Sequence, residues 1–173
     1  MALVLGIDPG SIKTGFGIIN HVNGRNEYVT SGIIQLPRTE LPERLRVIFD
    51  NLGEIIETHA PDEMAIERVF LSKSADAALK LGQARGAAIV ACVHRDIPVF
   101  EYSALQIKQS VVGTGAADKG QVQHMVKALL KLPGAPREDA ADALACALCH
   151  VHTQQSMIRM AGARSVQIGR AHV

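Results

Sequence analysis

Four acidic residues are placed so that the fold could bring their carboxylates to one point. Asp8 and Glu67 each end a short apolar segment, whereas Asp139 and Asp142 lie three residues apart in an alanine-rich segment. Carboxylate oxygens are the ligands that Mg²⁺ prefers. Metal ions held by carboxylates can hydrolyse phosphodiesters. The pattern therefore predicts a divalent-metal nuclease site.

Each acid alone has an ordinary structural explanation. Asp8 before Pro-Gly is common in turns, Glu67 could be a surface charge, and Asp139 with Asp142 could be a solvated first helical turn. A spacing of three puts the last two on one helix face. Unpaired carboxylates about 5 Å apart repel by about 3 kcal/mol at an effective dielectric of about 20. A cation reverses that cost, so the conjunction of four acids favours a metal site.

The elements that would position these acids follow from hydrophobic periodicity and from turn residues. They are strands over 2–8, 14–19 and 28–36, a helix over 41–58, a strand over 64–67, a helix over 74–94, a strand over 99–102, and helices over 119–131 and 137–152. A meander followed by alternating helices and strands predicts an α/β fold, with a mixed five-stranded sheet and helices on both faces.

Composition is that of an ordinary globular protein. The chain has 173 residues, 47% of them hydrophobic and 20% charged, and a net charge of +1 that does not indicate a nucleic-acid partner. No apolar run reaches membrane length, and the N-terminus lacks the basic flank of a signal peptide, so we expect a cytoplasmic protein. We expect one domain over 1–153 and a polar, disordered tail over 154–173.

A C-x-x-C-H motif at 146–150 matches the haem-attachment pattern, and with His152 it also suggests zinc ligands. The motif continues the helix of Asp139 and Asp142, and no second Cys/His group completes a tetrahedral site. We therefore interpret Cys146, Cys149 and His150 as packing beneath the acids, against the sheet.

Four segments together resemble the bacterial RuvC family of Holliday junction resolvases. They are GIDPGS at 6–11, IERVF at 66–70, ADAALKLGQARG at 75–86 and DAADALA at 139–145. The resemblance covers about residues 2–152. It implies a ribonuclease H-like fold, a homodimer, and paired symmetric nicking of four-way DNA junctions in homologous recombination and DNA repair.

The resemblance also implies roles for individual residues. Asp8, Glu67, Asp139 and Asp142 match the catalytic acids of the family, which bind two Mg²⁺ ions per site, with Mn²⁺ a plausible substitute. Hydrolysis is in line and needs no protein nucleophile. We expect Asp8, on the central strand, to bridge both ions.

DNA contacts are predicted at a second set of residues. Lys108 and Lys119 resemble family positions that contact DNA near the cleavage site, although each could be a solvated surface charge. Phe70 could pack in the core or stack on bases at the junction centre. The weaker candidates for phosphate contacts are Lys73, Lys80, Arg85 and Lys13.

The resemblance also implies protein partners, and two rival functions are weighed against it. The family implies a junction-binding protein and a branch-migration motor, and the small residues around Gly82 and Gly86 could form part of a dimer contact. The first rival function is a single-domain relative of actin-like ATPases, but such enzymes need two domains around the nucleotide. The second is a non-catalytic nucleic-acid-binding domain, against which four intact acids argue.

Overall fold

Strands dominate the first part of the chain and helices the last, in a computed structural model that describes residues 2–69 and 74–170. The elements in order are β1 Ala2–Asp8, β2 Lys13–Val22, β3 Arg25–Gln35, α1 Leu41–His59, β4 Glu63–Glu67, α2 Ala75–Val93, β5 Val99–Tyr102, α3 Ala104–Val112, α4 Lys119–Leu129 and α5 Glu138–Arg170.

The five strands form one mixed sheet in the order β3-β2-β1-β4-β5. The first three strands pair antiparallel as the predicted meander, and β4 and β5 continue the sheet in parallel with β1. Asn23 and Gly24 both have positive φ and make the tight β2–β3 turn. The predicted sheet is confirmed, and β1 lies at its centre.

Helices cover both faces of the sheet, as predicted. Helices α1 and α2 pack on the face that carries Leu5 and Ile7, and α3, α4 and α5 pack on the face that carries Val4. Because both of its faces are covered, β1 is a nearly continuous apolar run.

Two glycines let α5 approach the centre of the sheet closely. A Cβ at Gly6 would lie 1.9 Å from the carbonyl oxygen of Ala143, and a Cβ at Gly15 would lie 2.1 Å from that of Asp139. Any larger residue at either position would push α5 away from β1 and β2. The start of α5 is therefore held directly over the end of β1.

Helix α3 is absent from the prediction. It begins with a capping box, in which the Ser103 side chain accepts from the Gln106 backbone N–H while the Gln106 side chain accepts from the Ser103 N–H. Gly113, with φ of 89°, ends it. The helix is short, and only Ile107 and Val111 are buried, so its periodicity is weak.

The prediction of a disordered tail is wrong for the backbone of residues 154–170, which continues α5. No proline interrupts 138–170. The first residues beyond the core are also tied down, because Gln154 donates to Glu63 and Gln155 bonds to His21. Loss of apolar periodicity after residue 153 marks where the helix leaves the core, and the helix itself goes on.

Within residues 2–69 and 74–170, no helix combines the length and the apolar character that crossing a membrane requires.

Candidate active site

Three of the four predicted acids meet at the carboxyl end of the central strand. Asp8 is the last residue of β1, and Asp139 and Asp142 lie in the first turns of α5. One carboxylate oxygen from each residue lies within 4.8 Å of one from each of the others. The spacing of three on α5 therefore does what the sequence predicts, since both side chains face Asp8.

Glu67 borders the same cavity from the neighbouring strand. It ends β4, which runs parallel to β1 with Ile66 paired to Ile7. Glu67 therefore lies beside Asp8 at the carboxyl ends of these two strands. The cavity has a volume of about 510 Å³ and is lined by all four acids. Glu67 lies outside the group of three whose oxygens come within 4.8 Å. We refer to Asp8, Glu67, Asp139 and Asp142 as the acidic cluster.

Burial and mutual repulsion disfavour ionisation of the acidic cluster. Burial, followed by the charges of Asp142, Asp139 and Glu67, raises the pKa of Asp8 to about 8. Burial also raises the pKa of Asp142 to about 6, against the opposing effect of Lys119. The pKa of Glu67 is raised by burial, and the positive charges of Lys108 and Lys119 counteract part of that shift.

Asp139 has an incompletely satisfied carboxylate. Its Oδ2 is buried and accepts no hydrogen bond, although the Lys13 ammonium lies 3.1 Å away as an ion-pair partner without hydrogen-bond geometry. Lys13 begins β2 and lines the cavity. From the sequence, Lys13 is a weaker candidate than Lys108 and Lys119, yet Lys13 forms an ion pair with Asp139.

Lys108 and Lys119 both line the cavity, as their predicted role requires. Lys108 lies on α3, and Lys119 is the first residue of α4, directly after the N-cap Asp118. Lys119 forms an ion pair with Glu138, a residue that the sequence prediction does not include. Hydrogen bonding to Glu138 is the main cause of a raised Lys119 pKa.

A second unpredicted residue, Ile12, lies at the cavity wall with 68% of its surface exposed. Its position in the β1–β2 turn directly before Lys13 is the one sequence signal that could have indicated it. The predicted DNA contacts Phe70 and Lys73 lie outside the described residues.

The C-x-x-C-H segment packs as predicted beneath the acidic cluster. Cys146 and Cys149 are free thiols buried among the apolar residues of the α5 face of the sheet. His150 is fully buried, and its two ring nitrogens bond to Glu63 and Tyr102. The side chains of the motif are therefore engaged in packing and in protein hydrogen bonds.

Comparison with known proteins agrees with this geometry. The sequence model of the family described as crossover junction endodeoxyribonuclease RuvC matches residues 4–150. The chain belongs to the RuvC family. The crossover junction endodeoxyribonuclease RuvC of Saccharophagus degradans is 64% identical over 171 residues, which cover 98% of this chain and 99% of that protein.

Solved RuvC structures share the fold. The Thermus thermophilus RuvC structure matches with a TM-score of 0.79 and 32% identity, covering 89% of this chain and 96% of that one. T. thermophilus RuvC in complex with a Holliday junction substrate matches with a TM-score of 0.81 and 30% identity, covering 90% and 96%. The ribonuclease H-like α/β fold expected from the sequence is confirmed.

Proposed function

We infer that this chain is a crossover junction endodeoxyribonuclease that resolves Holliday junctions in homologous recombination and DNA repair by hydrolysing phosphodiester bonds. The observation that carries the inference is the convergence of Asp8, Asp139 and Asp142 within 4.8 Å, with Glu67 in the same cavity, in a member of the RuvC family. The T. thermophilus relative that is solved with a Holliday junction substrate supports a four-way junction as the DNA.

We propose that the acidic cluster holds divalent cations. The donor set fits, because hard oxygen ligands converge from three elements and the buried Asp139 Oδ2 accepts no hydrogen bond. The burial that raises the pKa of Asp8 is a cost that a bound cation offsets. We propose Mg²⁺, at two ions per site, with Mn²⁺ as a working substitute, because Mg²⁺ prefers carboxylates and keeps several waters.

Asp8, Glu67, Asp139 and Asp142 are the proposed catalytic residues and metal ligands. These residues would hold the metal ions, and the chemistry supplied there would be activation of a water for in-line attack and stabilisation of the leaving oxygen. The protein's part is to fix the ligands. Asp8 is immobilised at the end of a central strand, and its carboxylate is close to those of both α5 acids, which favours it as the shared ligand. Glu67 would supply a ligand from the neighbouring strand β4.

Lys108 and Lys119 are the proposed contacts to the DNA phosphates. Both residues line the cavity of the acidic cluster, and each lies on a different helix, so together they could hold a DNA backbone on two sides. A phosphate approaching Lys119 would compete with Glu138 for the ammonium. Phe70 and Lys73 are retained as proposed DNA contacts on the sequence resemblance alone.

We propose a homodimer that uses the outer face of α2. Leu79, Val90 and Val93 are exposed there, and among the described residues no atom outside the adjacent residues and the local helix backbone lies within 4 Å of a Cβ built at Gly82 or Gly86. These five residues recur at helical spacing and form an apolar stripe along α2. The two glycines in its middle have no side chain, so another helix could approach closely there. A twofold dimer would place two acidic clusters on a twofold junction, as paired nicks require.

Four further proposals rest on the family resemblance and on the sequence. They are a single nuclease domain over 1–153, a junction-binding protein, a branch-migration motor and a cytoplasmic location.

The test is cleavage of defined substrates. Purified protein with Mg²⁺ is incubated with an end-labelled four-way junction, with a linear duplex of the same sequence, and with ATP. Symmetric nicks in the junction strands, with the duplex intact, are expected. Hydrolysis of ATP without nicking would overturn the proposal in favour of an actin-like ATPase. Junction binding without nicking in either Mg²⁺ or Mn²⁺ would favour a binding domain.

A further inference from the structure

Glu63, His150 and Tyr102 form a buried hydrogen-bonded chain, which we call the His150 tie. We propose that the His150 tie sets the position of α5 along β4 and thereby the separation between Glu67 and Asp142. The three are positioning residues, since none of them lines the cavity of the acidic cluster. The inference rests on the proposed role of the acidic cluster as a metal site.

The contacts of the tie are short and join three elements. His150 Nε2 lies 2.6 Å from Glu63 Oε2, and His150 Nδ1 lies 2.6 Å from the Tyr102 hydroxyl. Glu63 begins β4, Tyr102 ends β5, and His150 belongs to α5. Gln154, one turn further along α5, donates to the other Glu63 oxygen at 3.2 Å. Both oxygens of Glu63 are therefore bound by α5.

The hydrogen-bond roles follow from the partners. A carboxylate can only accept, so His150 Nε2 carries a proton and donates to Glu63, and in the neutral ring Nδ1 accepts from the Tyr102 hydroxyl. The imidazole has no exposed surface, and its centroid lies 4.5 Å from that of Phe100. A ring enclosed in this way has one orientation available, and so the tie defines a single placement of α5.

The distance from the His150 tie to the acidic cluster is about the same along β4 as along α5. Glu63 and Glu67 are four residues apart on β4, which puts both side chains on the α5 face and separates them by about 13 Å. Asp142 and His150 are eight residues apart on α5, a rise of about 12 Å. Strand and helix run in opposite directions, so fixing His150 on Glu63 brings Asp142 level with Glu67.

Two other polar contacts of α5 with the sheet join it to β2 and not to β4; they are Gln155 with His21 and Asp139 with Lys13. Its contact with β1 is apolar and gives less resistance to sliding. Ala143 and Ala147 lie against Gly6 of β1, so small side chains meet a strand without a side chain at that point. Apolar contacts of this kind are non-directional, whereas hydrogen bonds weaken steeply with misalignment. The tie is therefore the polar contact that specifies the level of α5 relative to β4.

The test compares metal binding in variants of the tie. Mn²⁺ affinity is measured by titration calorimetry well below the melting temperature, together with kcat and KM for junction cleavage. Glu63→Ala is expected to weaken Mn²⁺ binding about tenfold, as loss of a residue that orients ligands does. It should lower kcat while leaving KM for the junction unchanged. Glu63→Gln retains an acceptor oxygen for Nε2–H and should stay within about twofold of wild type.

Asp62→Ala is the matched control, because it removes a neighbouring carboxylate whose hydrogen bond is to the Leu3 backbone N–H of β1. It should lower the melting temperature and leave Mn²⁺ affinity unchanged. Tyr102→Phe, which deletes one hydroxyl, is the second variant if Glu63→Ala does not fold, and should weaken Mn²⁺ binding by about threefold.

Equal Mn²⁺ affinity in Glu63→Ala and wild type, or unchanged affinity in Tyr102→Phe where Glu63→Ala does not fold, would overturn the inference. An equal loss in Asp62→Ala would overturn it too, since the effect would then be general destabilisation. If wild type itself binds no Mn²⁺ at the acidic cluster, the proposed metal site fails instead, and the two failures are distinguishable.

Discussion

Helix α5 carries two polar clusters that differ in how completely the protein satisfies them. At its start, Asp139 and Asp142 face Asp8, and the buried Asp139 Oδ2 accepts no hydrogen bond. Two turns beyond Asp142, His150 is fully buried and both ring nitrogens have partners 2.6 Å away. One helix therefore presents two different groups to the same sheet: carboxylates that face another carboxylate and a half-exposed lysine, and an imidazole with both nitrogens hydrogen-bonded.

The difference separates a ligand site from a structural one. Buried polar groups are normally paired within the protein. Carboxylates that lie close together and repel each other are therefore explained by a bound cation. By the same reasoning, the His150 side chain has no bonding capacity left for a metal. The C-x-x-C-H motif alone would suggest the opposite assignment, because it is the more familiar metal-binding pattern.

The largest effect is expected from removing one ligand of the acidic cluster. Asp8→Asn should reduce junction nicking by at least about 10³-fold, because a lost metal ligand removes several kcal/mol of transition-state stabilisation. Junction affinity, measured by gel shift in Ca²⁺, should be retained, since the basic residues are untouched. Loss of binding together with nicking would contradict the separation of the acids from the DNA contacts.

The next largest effect concerns the lysines of the cavity. Lys119→Met should weaken junction binding severalfold and reduce the slope of log affinity against log salt by about one, as loss of a single phosphate contact does. Lys127→Met on the same helix is the control, since Lys127 does not line the cavity. Matching salt slopes for the two variants would argue against a phosphate contact at Lys119.

A stability measurement in EDTA tests the raised pKa of Asp8, which burial and the neighbouring carboxylates cause. Asp8 has a pKa of about 8 in the fold against 3.8 for the free side chain, so the native state retains its proton longer. The free energy of unfolding of the wild-type protein therefore falls as the pH rises from about 4 to about 8, because Asp8 must then ionise inside the fold. Asp8→Asn removes this pH-dependent destabilisation, because asparagine does not ionise.

The melting temperature of Asp8→Asn should accordingly exceed that of wild type by a margin that grows between pH 5 and pH 9. The gap should reach several degrees, since about 1 kcal/mol corresponds to about 2–4 °C for a domain of this size. Thermal unfolding followed by circular dichroism at both pH values measures it. A gap that does not change with pH would count against close approach of the acids.

The smallest expected effect is at Lys13, whose ammonium lies beside Asp139 where a cation would bind. Lys13→Met should raise Mn²⁺ affinity about twofold to fivefold, because it removes a competing positive charge that is half exposed and partly screened. Lys80→Met, which breaks an exposed ion pair with Asp76 on α2, is the matched control. Weaker Mn²⁺ binding in Lys13→Met would show that Lys13 supports the site rather than competing for it.

Much of the fold was predictable because its signals are local. The apolar run of β1, the Asn23-Gly24 turn and the Ser74 N-cap each specify structure within a few residues, and the sheet follows from their order. Helix α3 was missed because its one strong signal is the Ser103 capping box. The continuation of α5 was missed because polar composition does not by itself end a helix.

The site was predictable to a different degree at each residue. The four acids stand at strand ends or at helical spacing, so their positions follow from the elements that carry them. The contacts of Lys13 with Asp139, and of Glu63 with His150, join residues 126 and 87 positions apart along the chain. No local pattern encodes these pairings, which arise from the packing of α5 on the sheet.

The most direct test of the contrast between the two clusters is anomalous diffraction from crystals soaked in Mn²⁺. We expect anomalous density between the carboxylates of Asp8, Asp139 and Asp142, extending towards Glu67, and none beside His150. Absence of density at the acids in fully soaked crystals, or density at His150, would contradict it.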